Sequence, residues 1–262
     1  MPSFRHILRA EMIKCKFAGI WWVTLIAFGL APLMGAVFMI ILRTPPALKQ
    51  AGGLGAKAQL MNLAVDWNGY LSILTQAVGV GGVLIFGFVA SWLFGREYSD
   101  GTAKDLLALP ATRHSILNAK FVVYAVWCLV LVLSNLMVGL VFGFILQLPL
   151  TDALKLQHQL IDYATTTILT LPLGTLIAFF AVWGKGYLAP LGFVALTLVI
   201  AQVVAAVGFG AYFPWSVPGL YSAAGESYKE QLDTISYSLL ALTSFVGYLA
   251  TIVYWEKSDH SA

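Results

Sequence analysis

The chain has 262 residues, 60% of them hydrophobic and 10% charged, with a formal net charge of +3. Soluble domains carry about 25% charged residues, so the composition excludes a water-soluble globular protein, and so small a charge excess gives no footing for nucleic-acid binding. Its two cysteines, Cys15 and Cys128, make neither a disulfide framework nor a metal-ligand spacing, so no metal site is expected.

Residues 2–18 come first. Phe4, Ile7, Leu8, Met12 and Cys15 recur at helical spacing, with Arg5, Arg9, Lys14 and Lys16 between them. This is the pattern of an amphipathic helix lying at a membrane surface. Six long stretches follow: Ile20–Leu42, Asn68–Phe94, Phe121–Leu148, Tyr163–Trp183, Tyr187–Phe213 and Ile235–Trp255. Crossing a hydrocarbon core takes about 20 apolar residues in a helix, so the fold class is an all-α membrane protein with six transmembrane helices. The chain reads as a single transmembrane domain over 1–262. None of the stretches contains Asp, Glu, Lys, Arg or His. A charge held at mid-bilayer costs about 2.5–3.5 kcal/mol on insertion scales and usually has a task. With none held, the chemistry or coupling is expected in the loops or in another chain. Trp21 and Trp22 mark the headgroup level of the first span. That span is too long for a cleavable signal peptide and is expected to stay as an anchor.

Between the spans, residues 43–67 hold Pro45, Pro46 and several glycines but no recognisable site, and 149–162 form a short connection. Gly184-Lys185-Gly186 is a tight turn. In the segment 210–234, Pro214 and Pro218 break any continuous helix while Phe213, Trp215, Val217 and Leu220 keep it apolar. It reads either as a re-entrant or interfacial pair of short helices or as an aromatic belt with an ordinary loop. Small residues mark close helix packing: Gly139 and Gly143, then Gly87, Ser91 and Gly95, then Thr166, Thr170, Gly174 and Ala178. Pro172 is expected to kink the fourth span.

Flanking charge sets the orientation. Arg5, Arg9, Lys14, Lys16, Arg96, Lys104, Arg113, Lys120, Lys185 and Lys257 fall on the side of the N-terminus, ten in all; Arg43, Lys49, Lys57, Lys155 and Lys229 fall on the other, five in all. Both termini are therefore expected in the cytoplasm.

The longest cytoplasmic loop, 95–120, reads GREYSDGTAKDLLALPATRHSILNAK. Ser99-Asp100-Gly101 is turn chemistry. Thr102 with Asp105 resembles a capping box, so a short helix should start at Ala103, carry Leu106 and Leu107 on one face and end at Pro110. Thr112 and Ser115 can start the next helix. Exposed leucines on such a loop call for a protein partner, with the membrane surface as the alternative.

The run G-R-E-x-x-x-G-T-x-x-x-L-L-x-x-P-x-x-R-x-x-I-x-x-A-K resembles the loop between the second and third spans of type-2 ABC exporter permeases. The basic N-terminal helix, the six-span layout and the apolar Phe-Pro-Trp-x-x-Pro segment are also similar, most of all to the small permeases of the bacitracin- and lantibiotic-resistance type. The resemblance implies a dimer, with a second identical or different permease subunit, each half paired with a cytoplasmic ATP-binding-cassette ATPase that holds ATP and Mg. It implies that the short loop helix couples to that ATPase, with Glu97, Gly101, Thr102, Leu106, Leu107 and Arg113 facing or shaping the interface. It further implies that the N-terminal helix connects to the ATPase. The segment around Pro214 to Tyr221 would be extracellular, which makes Phe213, Pro214, Trp215 and Pro218 a candidate gate near the exit. A bacterial cytoplasmic membrane is the implied location.

No P-loop is present: Gly184-Lys185 lacks the upstream glycine of G-x-x-x-x-G-K-[ST], so this chain is expected to bind no nucleotide and to be no enzyme by itself. The four histidines, His6, His114, His158 and His260, lie far apart. A charge-free interior suits an apolar or amphipathic substrate. Thr166, Thr170 and Gly174 with Gln202 would offer its few polar contacts, unless they only pack helices. The alternatives are a lipid-modifying membrane enzyme, with Glu97, Asp100 and Asp105 as its carboxylates, and an ion-extruding permease. A proton- or sodium-coupled carrier is disfavoured by the lack of an intramembrane carboxylate.

Overall fold

The computed structural model describes residues 3–16, 18–43, 64–102, 112–223 and 229–257. Among these the chain is helical, with no β-strand. Helix α1 (Phe4–Lys16) precedes six long apolar helices. They are α2 (Gly19–Arg43), α3 (Trp67–Ser99), α4 (Arg113–Ile145), α5 (Ala153–Trp183), α6 (Leu188–Ala206) and, after the short α7 (Val217–Ser222), α8 (Thr234–Lys257). Even the shortest of the six, α6 with 19 residues, reaches about 28 Å at the helical rise per residue, close to the hydrocarbon thickness.

The first turn of α4 meets the last turn of α8, where Arg113 donates to the Glu256 carbonyl at 3.1 Å, and α1 packs on α4 at this same end. We call it the terminal end. At the far end Arg43 donates to the Leu146 carbonyl at 2.7 Å, and the Thr151 hydroxyl donates to Asp66, the residue that caps α3. Helix α3 runs through the middle and is the most enclosed of the six, whereas α2 and α6 are the most exposed.

The small residues bring helices together within this chain. A side chain at Gly139 or Gly143 of α4 would overlap Leu74 or Trp67 of α3, so that pair serves intrachain contact. Several buried polar groups pair across helices, as an apolar solvent demands. The Trp127 indole donates to Thr24 at 3.2 Å, the Asn135 amide to the Phe28 carbonyl at 3.0 Å, and the Tyr163 hydroxyl to the Val132 carbonyl at 2.8 Å.

Five features depart from the hydropathy pattern or refine it. Helix α5 starts at Ala153, so most of the expected connection 149–162 is helix. Asp152 makes this start, accepting from the backbone N–H groups of Leu154 and Lys155. At Pro172 the same helix tightens to a 3-10 segment, Leu171–Leu173, as the missing N–H predicts. Helix α6 stops at Ala206, short of Phe213, because Gly208 takes φ +85, which ends the helix. Within α3, Ala77–Gly81 forms a π-helical turn, a feature that recurs at functional sites. The segment after α6 folds into a 3-10 turn, Gly210–Tyr212, and α7.

Candidate functional sites at the two ends of the bundle

At the terminal end, the loop between α3 and α4 leaves and returns through a buried ion cluster. Helix α3 finishes in a left-handed Gly101 (φ +71), with Gly101 N–H bonded to the Tyr98 carbonyl at 3.2 Å and Thr102 N–H to the Glu97 carbonyl at 2.9 Å. This double bond pattern is the glycine stop expected of a helix C-terminus. Thr112 starts α4, its side chain accepting from the Ser115 N–H at 3.3 Å. Between these two caps lie residues 103–111, which carry Leu106 and Leu107; they and the expected short helix fall outside the described residues.

Glu97 lies one turn before the glycine stop, and Lys120 lies two turns into α4. Both are buried, Glu97 at 3% and Lys120 at 1% exposure. Lys120 Nζ pairs with Glu97 Oε2 at 2.9 Å, and donates to the Leu93 carbonyl at 3.1 Å and to Glu11 Oε2 at 3.3 Å. Lys14 closes the cluster from the solvent side, 2.5 Å from Glu11 Oε1 and 3.4 Å from Glu97 Oε1. Two carboxylates and two ammonium groups thus balance, and they join α1 to both ends of the loop. Burial raises the pKa of the Glu11 carboxyl, but the Lys120 and Lys14 charges outweigh it and hold the group below its ordinary value. Cys15 lies on the same buried face of α1, and burial pushes its thiol up to about 11.

Two expectations change here. The apolar positions of α1 do not all share one buried face. Ile7, Leu8 and Cys15 turn into the bundle together with Glu11, while Phe4 and Met12 are exposed. No local pattern in the sequence marks Glu11, because its partner Lys120 lies 109 positions away. Glu97 does not face outward: its carboxylate is used inside this chain, so it can shape a partner surface but cannot reach one. Gly101, Thr102 and Arg113 are exposed.

At the far end, a chamber of about 330 Å³ opens between the π turn of α3, the last turns of α6 and the segment 215–223. Gln76, Gln202, Trp215 and Ser216 give it polar edges; Val80, Leu198, Ala201 and Leu220 make its apolar walls. Gly79 lets α3 approach α7, since any side chain there would overlap Ser222 and the Pro218 carbonyl. Trp215 is 7% exposed, and its indole N–H has no partner among the described residues. An unpaired buried donor is uncommon and costly. Of the expected gate, Phe213 stacks on Trp215 at 5.5 Å, Pro218 is buried against α3, and Pro214 is half-buried between them.

Of the expected substrate contacts, only Gln202 reaches this chamber. Thr166 and Thr170 are buried in helix packing, Thr170 donating to the Thr166 carbonyl at 2.7 Å. Gly174 lies against the Tyr124 hydroxyl, with no room for a side chain. These three residues lie in helix contacts away from the chamber wall. Among the described residues no group of His, Cys, Asp and Glu is arranged to hold a metal ion.

Comparisons with known proteins give the arrangement its context. A family profile described as ABC-2 family transporter protein matches residues 7–204, a span that includes most of α1, the ion cluster and Gln202. The chain is 30% identical over 194 residues to the bacitracin transport permease protein BCRB of Bacillus licheniformis, covering 74% of this chain and 90% of that protein. No solved structure matches. A profile over most of the chain, six helices fit to cross a membrane and the loop clasped at both ends together establish that this protein is a transmembrane permease of the ABC-2 transporter family.

Proposed function

We propose that this chain is the membrane half of an ATP-driven exporter and expels an apolar or amphipathic substrate, such as a membrane-active peptide antibiotic. A separate ATP-binding-cassette ATPase holds ATP and Mg, and a second permease subunit completes the assembly. The protein sits in a bacterial cytoplasmic membrane with the terminal end inside, as the ten-to-five charge count favours. The carrying observation is the ion cluster of Glu11, Lys14, Glu97 and Lys120, which ties α1 and both ends of the loop 103–111 into one unit. A force applied to that loop by an ATPase moves α1, α3 and α4 together. Helix α3 is continuous from the cluster to the π turn that lines the outer chamber, so the two sites share one rigid element.

The 30% identity to a bacitracin transport permease supports a peptide antibiotic as substrate. So does a chamber whose walls are apolar with a few amide edges. The test is a susceptibility panel in cells with and without the permease and its ATPase. Protection against bacitracin and other hydrophobic peptides is expected. Unchanged peptide sensitivity, together with ATP-driven movement of an inorganic ion in vesicles, would favour the ion-extruding alternative.

A further inference from the structure

The outer chamber holds two side-chain amides that the chain itself leaves largely unused. Gln76 is the residue of α3 directly before the π turn, and Gln202 lies on α6, on another wall of the same chamber. At the helical rise, Gln202 is about 6 Å inside the end of its span and Gln76 about 14 Å inside the start of α3. Gln76 makes one long contact, its amide nitrogen donating to Ser72 Oγ at 3.5 Å. Its carbonyl oxygen, and both groups of Gln202, have no partner among the described residues. The other polar groups of the chamber are accounted for. Ser216 Oγ donates to the Ala201 carbonyl at 3.1 Å. The unpaired Trp215 indole N–H is itself covered, so that ring serves as wall.

An amide inside a span is costly unless it is paired or lines a cavity. These two line one, which leaves the pairing to whatever enters. Each carries both a donor and an acceptor. A peptide unit presents one N–H and one C=O, so two amides on different walls can answer both groups at once. An ester-linked lipid offers acceptors only, and a hydrocarbon tail offers neither. A site that hydrogen-bonds its ligand discriminates against an analogue that leaves its polar groups unpaired. We propose that Gln76 and Gln202 read a peptide unit of the transported molecule, one amide accepting from its N–H and the other donating to its C=O, while Val80, Leu198 and Leu220 hold its apolar parts. This rests on the reading above that the chamber lies on the substrate's path. It names the chemistry read there, a neutral amide on an apolar body.

The test follows a cysteine placed in the chamber wall, Ala205→Cys with Cys15→Ala, in the purified full chain in maltoside micelles. Cys128 is fully buried, so modification by a methanethiosulfonate reports on position 205 and slows when a probe fills the chamber. Three probes of similar length are compared at equal mole fraction in the micelle. N-methyldodecanamide has an N–H and a C=O, N,N-dimethyldodecanamide has the C=O alone, and tetradecane has neither. N-methyldodecanamide should protect at about tenfold lower mole fraction than tetradecane, with the dimethylamide between them. Gln76→Leu with Gln202→Leu should remove that order and leave tetradecane protecting at least as well as before. Both changes put an aliphatic chain of similar size on an apolar wall, so the variant should fold. Equal protection by the three probes would overturn the amide reading and leave the chamber as an apolar site. Equal protection by the two amides would reduce the contact to one acceptor and refute the paired reading. An order that survives in the double leucine variant would assign it to other groups and overturn the proposal too. No protection by any probe would remove the chamber from the substrate's path altogether.

Discussion

Replacing Lys120 with methionine keeps an unbranched stem of similar length and removes the charge. Lys120 is 1% exposed and touches both carboxylates of the cluster, at 2.9 Å and 3.3 Å. Its loss leaves Glu11 and Glu97, each 3% exposed, to share Lys14 alone. Breaking a buried pair from one side costs about 3–5 kcal/mol. The cheapest relief is for α1 to lift away and carry Glu11 to water. A loss of about 3 kcal/mol is about a hundredfold in that docking equilibrium. Cys15 reports it directly. It is 3% exposed, and burial pushes its thiol up to about 11, so it should react slowly with maleimide while docked. Cys128 is fully buried inside α4 and does not compete. Alkylation of Lys120→Met in detergent, followed by gel shift, should be about a hundredfold faster than wild type at Cys15 and absent from Lys120→Met/Cys15→Ala. The triple change Glu11→Gln, Glu97→Gln, Lys120→Met should recover much of the loss, because no buried charge is then left uncompensated. A wild-type alkylation rate in Lys120→Met would refute the cluster as the tie between α1 and the bundle.

Acid should act through Glu11. Its folded-state pKa lies below the ordinary value of 4.5, so its stabilising contribution is full above 4.5 and is lost as the pH falls through the lowered value. The thermal midpoint of the purified chain should drop on that acid side, and Glu11→Gln should flatten this part of the profile; an unchanged acid slope would assign it to other groups. Gly174→Val places a side chain against the Tyr124 hydroxyl and should destabilise the protein by about 1–3 kcal/mol; a neutral effect on thermal unfolding would mean the α4–α5 contact is loose enough to serve as a path. For orientation, a cysteine at Lys57 or Lys229 should react with an impermeant maleimide added to intact cells, and one at Lys104 should not. The opposite pattern would invert the topology.

The six spans are legible in the sequence because a charge-free run of membrane length has almost no other use. The glycine stop at Gly101 and the cap at Thr112 are legible for a similar reason, since few residues do those tasks. Charge is a poor sign of loop in this chain. Lys155, His158 and Asp162 sit on the first turns of α5, and Lys120 sits inside α4, because a buried or rim charge with a partner is compatible with helix. The partners come from distant positions: Glu11 reaches Lys120, and Lys229 reaches Asp162. No local spacing announces such pairs. The π turn at Ala77–Gly81 leaves hydropathy unchanged, and only the glycines around it hint at a close approach. The choice between substrate contact and packing for Thr166, Thr170 and Gly174 depends on which neighbours they meet, and here those neighbours are Tyr124 and their own helix.

The central claim is that force enters through the loop 103–111 and needs a second protein. It is tested most directly by ATP hydrolysis in proteoliposomes holding the chain alone, the chain with a candidate ATP-binding-cassette ATPase that binds it, and the same complex with Leu106→Asp or Leu107→Asp. A charge forced into an apolar docking face costs several kcal/mol, enough to weaken the ATPase contact by orders of magnitude. The account predicts no hydrolysis from the chain alone, hydrolysis stimulated by bacitracin in the complex, and loss of both stimulation and ATPase retention in either aspartate variant. Hydrolysis by the permease alone, or full bacitracin-stimulated hydrolysis in the aspartate variants, would contradict it.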